Sequence, residues 1–393
     1  MKNCFFFLAC LSGSYLFGQP DTEVYLLDLI PASDGFEFKN LRNISNNPGY
    51  DNQPSFYEDG SVLFSSTRDG QTDIAKYDLN SGGISWVSAT TEGSEYSPLK
   101  IPGKKAVSAI RLDKDGTQLL YSYKLSDGKP DLLLEDLKVG YHVWVSKQQV
   151  LSAVLTEERM DLVNSNFKDG SNYTVQKNIG RSLQNIPDSD RISYISYENG
   201  SAELRSLDPI SGATDLIVKM PAGIQDICWM KNGSILAGEG NKLLLYNPAS
   251  GQEWETIKTF ENKELYSISR LAINDTGTKL ALVAEGSPEF IVQQQLDAYN
   301  SRDIEAFADT YSDKVKLFSF PNTLRSEGIE KLKEQYGGFF ASTPDLKAEI
   351  LNRIVIGQKV IDQELVTVNG QQFTAVAIYE VENGKIARVT FIQ

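Results

Sequence analysis

Short runs of alternating apolar and polar residues, separated by glycine-containing turns, fill the chain from Thr22 to about Glu285. Alternation with a period of two is typical of strands that bury one face. Asn-Gly and Asp-Gly pairs between the runs favour type I′ turns, so they predict hairpins. Clear copies of this unit surround Asp59-Gly60 and Asn232-Gly233. Weaker copies lie at residues 110–123, 143–154, 192–207 and 271–283.

The repetition predicts small sheets that stack around a common centre, because no group of such short strands can bury its own face. We count about six units, provided that the strand Val24 to Leu29 completes the last one. The first two thirds of the chain are therefore predicted to be an all-β, six-bladed propeller. The segments 53–66 and 226–229 resemble the TolB-like, WD40-like propeller family. This resemblance implies a fold that offers a face to a protein partner, and it specifies no reaction.

A different pattern begins after Gly286-Ser287-Pro288. Apolar residues at helical spacing predict one helix from Glu289 to Asn300 and a second from Asp303 to Tyr311. They are followed by a predicted strand (315–320), a helix (328–340) and four strands (347–356, 359–368, 372–381 and 386–392). This order predicts an α+β layer in which helices cover a curved antiparallel sheet.

Three segments of this part, 295–303, 311–315 and 378–386, resemble the SnoaL-like, nuclear transport factor 2-like family, which includes ketosteroid isomerases. The resemblance implies a cone whose sheet wraps a largely apolar pocket. We therefore expect a signal peptide at residues 1–19, a TolB-like propeller at 20–286 and a SnoaL-like domain at 288–393.

Isomerase members of that family use a carboxylate base, with a tyrosine and a protonated carboxyl as donors to an oxyanion. The resemblance places Gln295 at the position of the tyrosine, Ser319 at that of the base and Ala377 near that of the acidic donor. None of these side chains can fill the role, so ketosteroid isomerisation is not expected.

Two carboxyl groups remain as candidates for chemistry, Asp362 and Glu364. Strand alternation places them on one face with Val360 and Val366, and the resemblance directs that face into the cone. In an apolar cavity the two carboxyls would raise each other's pKa and form a general acid/base pair; on an exposed face they would be ordinary surface charges. The candidate ligand-binding residues are Tyr299, Phe318, Tyr336, Asp362, Glu364 and Tyr379, with core packing as the alternative for the aromatic ones.

The composition narrows the choice of function. Acidic residues outnumber basic ones by 52 to 38, the net charge is −14 and no Lys/Arg-rich run occurs, which disfavours nucleic acid as a partner. His142 is the single histidine, so nucleophile-histidine triads and multi-histidine metal sites are excluded. The chain has no glycine-rich phosphate loop and no CxxC pair, and we predict neither a metal nor a cofactor.

The N-terminus predicts export. Lys2 precedes an apolar run from Cys4 to Leu11, and cleavage near Gly18-Gln19 would release a periplasmic or extracellular protein. The alternative is a lipoprotein signal in which Cys10 carries lipid. No later apolar run reaches the roughly 20 residues that a membrane-spanning helix needs.

These observations favour an exported, non-catalytic binding protein, whose propeller binds a protein partner and whose cone binds a small apolar ligand. The alternative is a hydrolase, dehydratase or isomerase that acts on a hydrophobic small molecule through Asp362 and Glu364. In a third interpretation, the C-terminal domain is a module that forms a homodimer.

Overall fold

A computed structural model describes residues 21–32, 35–47, 49–91, 93–261, 265–382 and 384–392. The predicted signal peptide and Cys10 lie outside these residues. The described part of residues 21–285 is built of strands and contains no α-helix, whereas three helices follow Glu285.

Six antiparallel sheets of four strands each form the first part of the chain. The first strands are β1 (Glu23–Ala32), β2 (Gly35–Asn43), β3 (Asp51–Tyr57), β4 (Ser61–Arg68), β5 (Gln71–Asp78), β6 (Ile84–Trp86), β7 (Gly93–Lys100), β8 (Ala106–Asp113), β9 (Gln118–Lys124) and β10 (Pro130–Leu134). They are followed by β11 (Val139–Ser146), β12 (Gln149–Leu155), β13 (Met160–Asn166), β14 (Ser171–Gln176), β15 (Ile179–Asn185), β16 (Ile192–Ser196), β17 (Glu203–Leu207) and β18 (Thr214–Lys219). The last strands of this part are β19 (Cys228–Trp229), β20 (Ile235–Glu239), β21 (Lys242–Tyr246), β22 (Glu255–Thr259), β23 (Ser267–Ile273) and β24 (Lys279–Glu285).

Five of the sheets are made of consecutive strands, and the sixth joins the two ends of this part of the chain in the order β2-β1-β24-β23. The predicted pairing of the Val24 to Leu29 strand is correct, since β1 pairs with β24 from Glu23 opposite Ala284 to Asp28 opposite Lys279. Each sheet contacts the next one along the chain, and the sixth contacts the first through β23, β24 and β3. The buried apolar faces lie between neighbouring sheets; one such cluster contains Val24, Leu26, Val62 and Phe64.

The glycine pairs mark hairpins as predicted, but their turn types differ. Asp69-Gly70 and Asn369-Gly370 have positive φ at both residues, as a type I′ turn requires. At Asn232-Gly233 only the glycine has positive φ, and at Asp59-Gly60 a short 3₁₀ turn with Glu58 at φ 55° joins β3 to β4. The type I′ prediction is therefore wrong at these two positions, since one turn has a single left-handed residue, Gly233, and the other has it before the pair, at Glu58.

The second part of the chain contains the helices α1 (Pro288–Ser301), α2 (Ile304–Asp309) and α3 (Ile329–Ser342). Its strands are β25 (Tyr311–Ser319), β26 (Thr323–Glu327), β27 (Lys347–Ile356), β28 (Lys359–Val368), β29 (Gln371–Glu382) and β30 (Lys385–Ile392). They form one sheet in the order β26-β25-β30-β29-β28-β27. The expected wholly antiparallel sheet is wrong in one pair, since β25 runs parallel to β30, and the short strand β26 was not predicted.

Local signals set the helix ends. The hydroxyl of Ser287 accepts a hydrogen bond from the Glu289 amide and Pro288 occupies the first turn, while the Asp303 carboxylate caps α2. Phe307 of α2 is fully buried, and its ring lies 4.7 Å from that of Tyr336. The helices thus cover one face of the sheet with aromatic side chains.

No helix among the described residues is long and apolar enough to cross a membrane.

Candidate functional site

A cavity of about 290 Å³ lies between the helices and the sheet of the second part. Its wall comprises Gln295, Leu296 and Tyr299 of α1, Gln335, Tyr336 and Phe339 of α3, and Arg325, Ala348, Glu364, Val366, Val368, Phe373, Ala375, Tyr379 and Phe391 of the sheet. Most of this wall is aromatic or aliphatic, and it contains one carboxyl group, that of Glu364.

Glu364 is only 8% exposed, and the Tyr379 hydroxyl donates a hydrogen bond to its Oε1 at 3.1 Å. Burial raises the pKa of the Glu364 carboxyl to about 7, although the bond from Tyr379 favours the charged form. At neutral pH this carboxyl therefore exists in both protonation states. It can accept a hydrogen bond, donate one, or exchange a proton with a bound molecule.

Tyrosine hydroxyls provide the other polar groups near Glu364. Burial raises the pKa of Tyr299, of Tyr379 and of Tyr336, the last to about 12. These hydroxyls stay protonated at physiological pH and can act as hydrogen-bond donors. The rings of Tyr299 and Tyr336 meet edge to face with centroids 6.4 Å apart, which holds two walls of the cavity together.

Asp362 lies on the same buried face of β28 as Glu364, as alternation predicted, but it is not among the residues that line the cavity. Its carboxylate is 1% exposed and accepts hydrogen bonds from Nε and Nη2 of Arg353, both at 2.7 Å. Arg353 stands directly opposite it on β27. The structure therefore places one carboxyl in the cavity and the other in an ion pair, in place of the expected acid/base pair.

The aromatic candidates also divide into two groups. Tyr299, Tyr336 and Tyr379 line the cavity, whereas Phe318 is buried outside it beneath the Arg388 guanidinium, 3.9 Å from the ring centroid. The inward direction of the three tyrosines was predicted from the family resemblance. Phe318 differs because strand alternation places it on the face of β25 opposite Leu317, which belongs to the core under the helices.

Sequence reasoning did not select several cavity residues, of which Gln295, Arg325 and Gln335 are the polar ones. Gln295 stood at the position of the isomerase tyrosine, and its buried Oε1 has no hydrogen-bond partner among the described residues. Arg325 lies on the unpredicted strand β26 and donates to the Ser319 hydroxyl. Ala377 is fully buried and offers no polar atom.

The described residues contain no group of His, Cys, Asp and Glu side chains that could hold a metal ion. His142 lies far from this cavity in sequence, on β11, with its Nε2 at 2.7 Å from the Ser108 hydroxyl. Burial lowers the pKa of His142 to about 3, so its ring is neutral at physiological pH.

Comparisons with known proteins agree with both resemblances. Residues 292–389 match the family model of the SnoaL-like domain, and this part of the chain is a SnoaL-like domain. The first two thirds have the propeller-like fold of a putative TolB from Agrobacterium tumefaciens, with a TM-score of 0.54 and 12% identity over 68% of this chain and 99% of that one.

Two smaller solved structures match the C-terminal part. A cystatin fold protein from Novosphingobium aromaticivorans is 26% identical over 27% of this chain and 98% of its own, with a TM-score of 0.27. An NTF2-like protein from Cytophaga hutchinsonii is 18% identical over 27% of this chain and 88% of its own, with a TM-score of 0.24. No curated protein sequence matches the chain significantly.

Proposed function

We propose that this is an exported binding protein whose C-terminal cavity holds a small, uncharged and largely apolar molecule. The observation that carries this proposal is the aromatic cavity of about 290 Å³ with a single buried carboxyl, Glu364. Its volume is close to the lower end of the range of about 300–1,000 Å³ for small-molecule sites. The ligand would pack on the aromatic wall and make one hydrogen bond to Glu364.

The proposal includes the arrangement of the whole chain. We infer that the six sheets are the blades of a closed propeller at residues 20–286 and that residues 288–393 form a cone of helices on a curved sheet. Each sheet contacts the next, the last contacts the first, and β1 pairs with β24; these contacts support a closed propeller. The break between β24, which ends at Glu285, and α1, which begins at Pro288, supports the division.

The binding proposal is tested with the neutral fluorescent probe N-phenyl-1-naphthylamine. Ala375 lines the cavity and is buried, so Ala375→Phe fills space that the probe would occupy. We expect the full-length protein to enhance probe fluorescence and Ala375→Phe to weaken binding at least about tenfold, since an apolar ligand loses most of its buried area. Ala249→Phe, in an exposed turn, is the matched control. Equal probe binding by both variants would contradict the proposal.

Proton transfer in the same cavity is the second candidate function, and the pKa of Glu364 near 7 favours it. A carboxyl that titrates near neutral pH beside protonated tyrosine hydroxyls has the properties of a general base with hydrogen-bond donors. Because Asp362 is paired with Arg353, Glu364 would act alone. The reaction classes open to it are isomerisation, dehydration and hydrolysis of a hydrophobic molecule.

The two functions are separated by Glu364→Gln, which keeps the side-chain size and removes the titratable group. In D2O, an enzyme of this kind would exchange the α-hydrogens of a panel of cyclic ketones, which NMR detects. Exchange by the wild type that is lost in Glu364→Gln, with probe binding retained, establishes catalysis. Exchange that persists in the variant excludes Glu364 as the base.

We also propose that the propeller binds a protein partner. The turns 78–82, 208–212 and 247–251 share the pattern Asp/Asn-x-x-Ser-Gly, and their third positions hold Asn80, Ile210 and Ala249. Ile210 is 87% exposed, an unusual position for a large apolar side chain. A photocrosslinking residue at 210 should capture a specific protein in the producing cell, whereas the same residue at 249 should not. Equal capture at both positions would contradict the proposal that the surface around Ile210 binds a protein partner.

A further inference from the structure

A second cavity, of about 460 Å³, lies at the centre of the six sheets. One polar residue from the innermost segment of each sheet contributes to its wall: Gln53, Ser97, Tyr141, Arg181, Asp226 and Arg270. We call these six residues the central ring. They come from widely separated parts of the chain, so their convergence is visible only in the folded structure.

The charges of the central ring do not balance. Arg181 donates from Nε to Oδ2 of Asp226 at 2.8 Å, and Arg270 donates from Nη1 to Oδ1 of the same carboxylate at 2.8 Å. Two guanidinium groups therefore share one carboxylate, which leaves one positive charge in a protein of net charge −14. His142 also lines this cavity but is neutral, since burial lowers its pKa to about 3.

Hydrogen-bond donors at the central ring also exceed acceptors. Among the described residues, the buried Ser97 hydroxyl has no hydrogen-bond partner. The Arg181 and Arg270 side chains bond to Asp226 and remain 28% and 14% exposed, so their other N–H groups can meet a bound molecule. The Gln53 Oε1 accepts from the Ser97 amide at 2.7 Å, which leaves the Gln53 amide nitrogen as a further donor. An unpaired buried hydroxyl is rare, and a bound acceptor would satisfy that of Ser97.

The backbone at the ring is also unusual. Gln53 and Ser97 occupy adjacent sheets and both lie in the left-handed region, with φ of 57° and 52°. Residues other than glycine seldom adopt this conformation inside strands, and such strain is concentrated at binding sites. Glu58 and Lys100, which also line the cavity, pair at 3.1 Å, and Asp275 in the turn after β23 adds one negative charge to the wall. The excess positive charge therefore belongs to the central ring and not to the cavity as a whole.

We propose that the central ring binds a small molecule through one carboxylate, placed between the guanidinium groups of Arg181 and Arg270. A single negative charge brings the ring to neutrality with Asp226, whereas a dianion would leave an excess of negative charge in a confined space. Guanidinium groups suit this task because their fixed N–H groups match the two oxygens of a carboxylate. This site is independent of the C-terminal cavity and of the function proposed for it.

The test uses three small fluorinated probes and ¹⁹F NMR of the full-length protein. Trifluoroacetate is a monoanion, monofluorophosphate is a dianion at neutral pH, and trifluoroethanol is the neutral control. We expect millimolar trifluoroacetate to broaden in the presence of the wild type and trifluoroethanol to remain sharp. Broadening of trifluoroethanol to the same extent, or none with trifluoroacetate, would overturn the proposal.

Substitutions then locate the site. Arg270→Gln should weaken trifluoroacetate binding at least about tenfold, because a charge-assisted bond is lost. Arg191→Gln removes an arginine that pairs with the exposed Asp215 outside the cavity, so it is the matched control and should bind normally. Equal binding by Arg270→Gln and this control would show that the anion binds elsewhere, as an adventitious ion only.

Asp226→Asn should strengthen anion binding, whereas Arg270→Gln should weaken it. Removal of the internal carboxylate raises the ring charge by one, so monofluorophosphate should bind at least about tenfold more tightly than it binds the wild type. If near-UV circular dichroism shows that Arg270→Gln does not fold, Asp226→Asn alone tests whether the anion binds at the central ring. Unchanged or weaker binding of monofluorophosphate by folded Asp226→Asn would contradict the charge argument.

Discussion

At the scale of single residues, the protonation of Glu364 controls what the C-terminal cavity can do. Burial raises the pKa of this carboxyl to about 7, while the hydrogen bond from Tyr379 acts in the opposite direction. The neutral form suits an apolar ligand, and the charged form is required of a base. The balance between them depends on one hydroxyl, since Tyr379 donates directly to Glu364 at 3.1 Å.

A titration of the full-length protein labelled with ¹³C at glutamate carboxyls tests this balance. We expect two resonances with midpoints near 7, those of Glu95 and Glu364, of which the second is absent from Glu364→Gln. Tyr379→Phe removes a bond that favours the carboxylate, so it should move the Glu364 midpoint upward. A Glu364 midpoint near the ordinary glutamate value of about 4.3 would refute the assignment.

At the scale of secondary-structure elements, the hairpin of β27 and β28 brings Arg353 and Asp362 together. The two residues are directly opposite each other in the register, and both side chains are largely buried. Removal of one partner leaves a buried charge uncompensated, which costs about 3 kcal/mol or more. Replacement of both by apolar residues of similar volume removes that penalty.

We therefore expect Arg353→Leu to lower the free energy of unfolding of the C-terminal domain by about 3 kcal/mol. The double variant Arg353→Leu with Asp362→Leu should recover most of the loss. Urea unfolding of the full chain, followed by tyrosine near-UV circular dichroism, measures both. A double variant that is less stable than the single one would show that Asp362 has a role beyond the ion pair.

The elements that were predicted from the sequence are those with a buried face. The strands β4, β20 and β24 bury apolar residues along their length and were recognised by that pattern. The outer strand β6 has only three residues, all exposed, and β26 is exposed at four of its five, so neither shows the pattern of a strand with a buried face. The parallel pairing of β25 with β30 joins distant segments and cannot be deduced from local alternation.

The candidate site, like the strands, could be predicted from the sequence only in part. Alternation identified the buried face of β28, and hence Glu364. The partner of Asp362 required the hairpin register, which the turn at Gly357 sets and which places Arg353 opposite. The central ring was not predictable, because Arg181 on β15, Asp226 in the loop before β19 and Arg270 on β23 are far apart in sequence and meet only in the folded structure.

At the scale of the whole molecule, buried carboxyls couple the stability of the propeller to pH. Burial raises the pKa of Asp51 and of Glu95 to about 7 each, well above their values in an unfolded chain. The folded state therefore binds more protons than the unfolded state between about pH 4 and 7. Through these two groups, stability falls as pH rises in that window. His142, whose pKa burial lowers to about 3, contributes in the opposite direction below about pH 6.5, and the two carboxyls together outweigh it.

We expect the propeller to be more stable at pH 5 than at pH 8, by on the order of 1 kcal/mol for each of the two groups. All four tryptophans lie in the first two thirds of the chain, so their fluorescence reports this unfolding. The double variant Asp51→Asn with Glu95→Gln should show a flatter pH profile. A wild-type stability that increases from pH 5 to pH 8 would contradict the linkage.

We propose that the outer face of the C-terminal sheet is a contact surface for a second copy of the chain. Ile354, Ile361 and Ile378 lie in register across β27, β28 and β29, on the face opposite Glu364, and Ile354 is 46% exposed. An unbroken apolar row across three strands is costly to leave in water. A two-fold symmetric pairing would cover the row with an identical one.

We expect sedimentation equilibrium of the full chain to show a dimer, and Ile361→Glu to shift it to monomer because a charge would be buried in the contact. Gln252→Glu adds the same charge at an exposed position of the propeller and should leave the dimer unchanged. A wild type that is strictly monomeric would exclude the pairing, and the isoleucine row would then contribute only to packing within the sheet. A dimer that survives Ile361→Glu would place the contact on another surface.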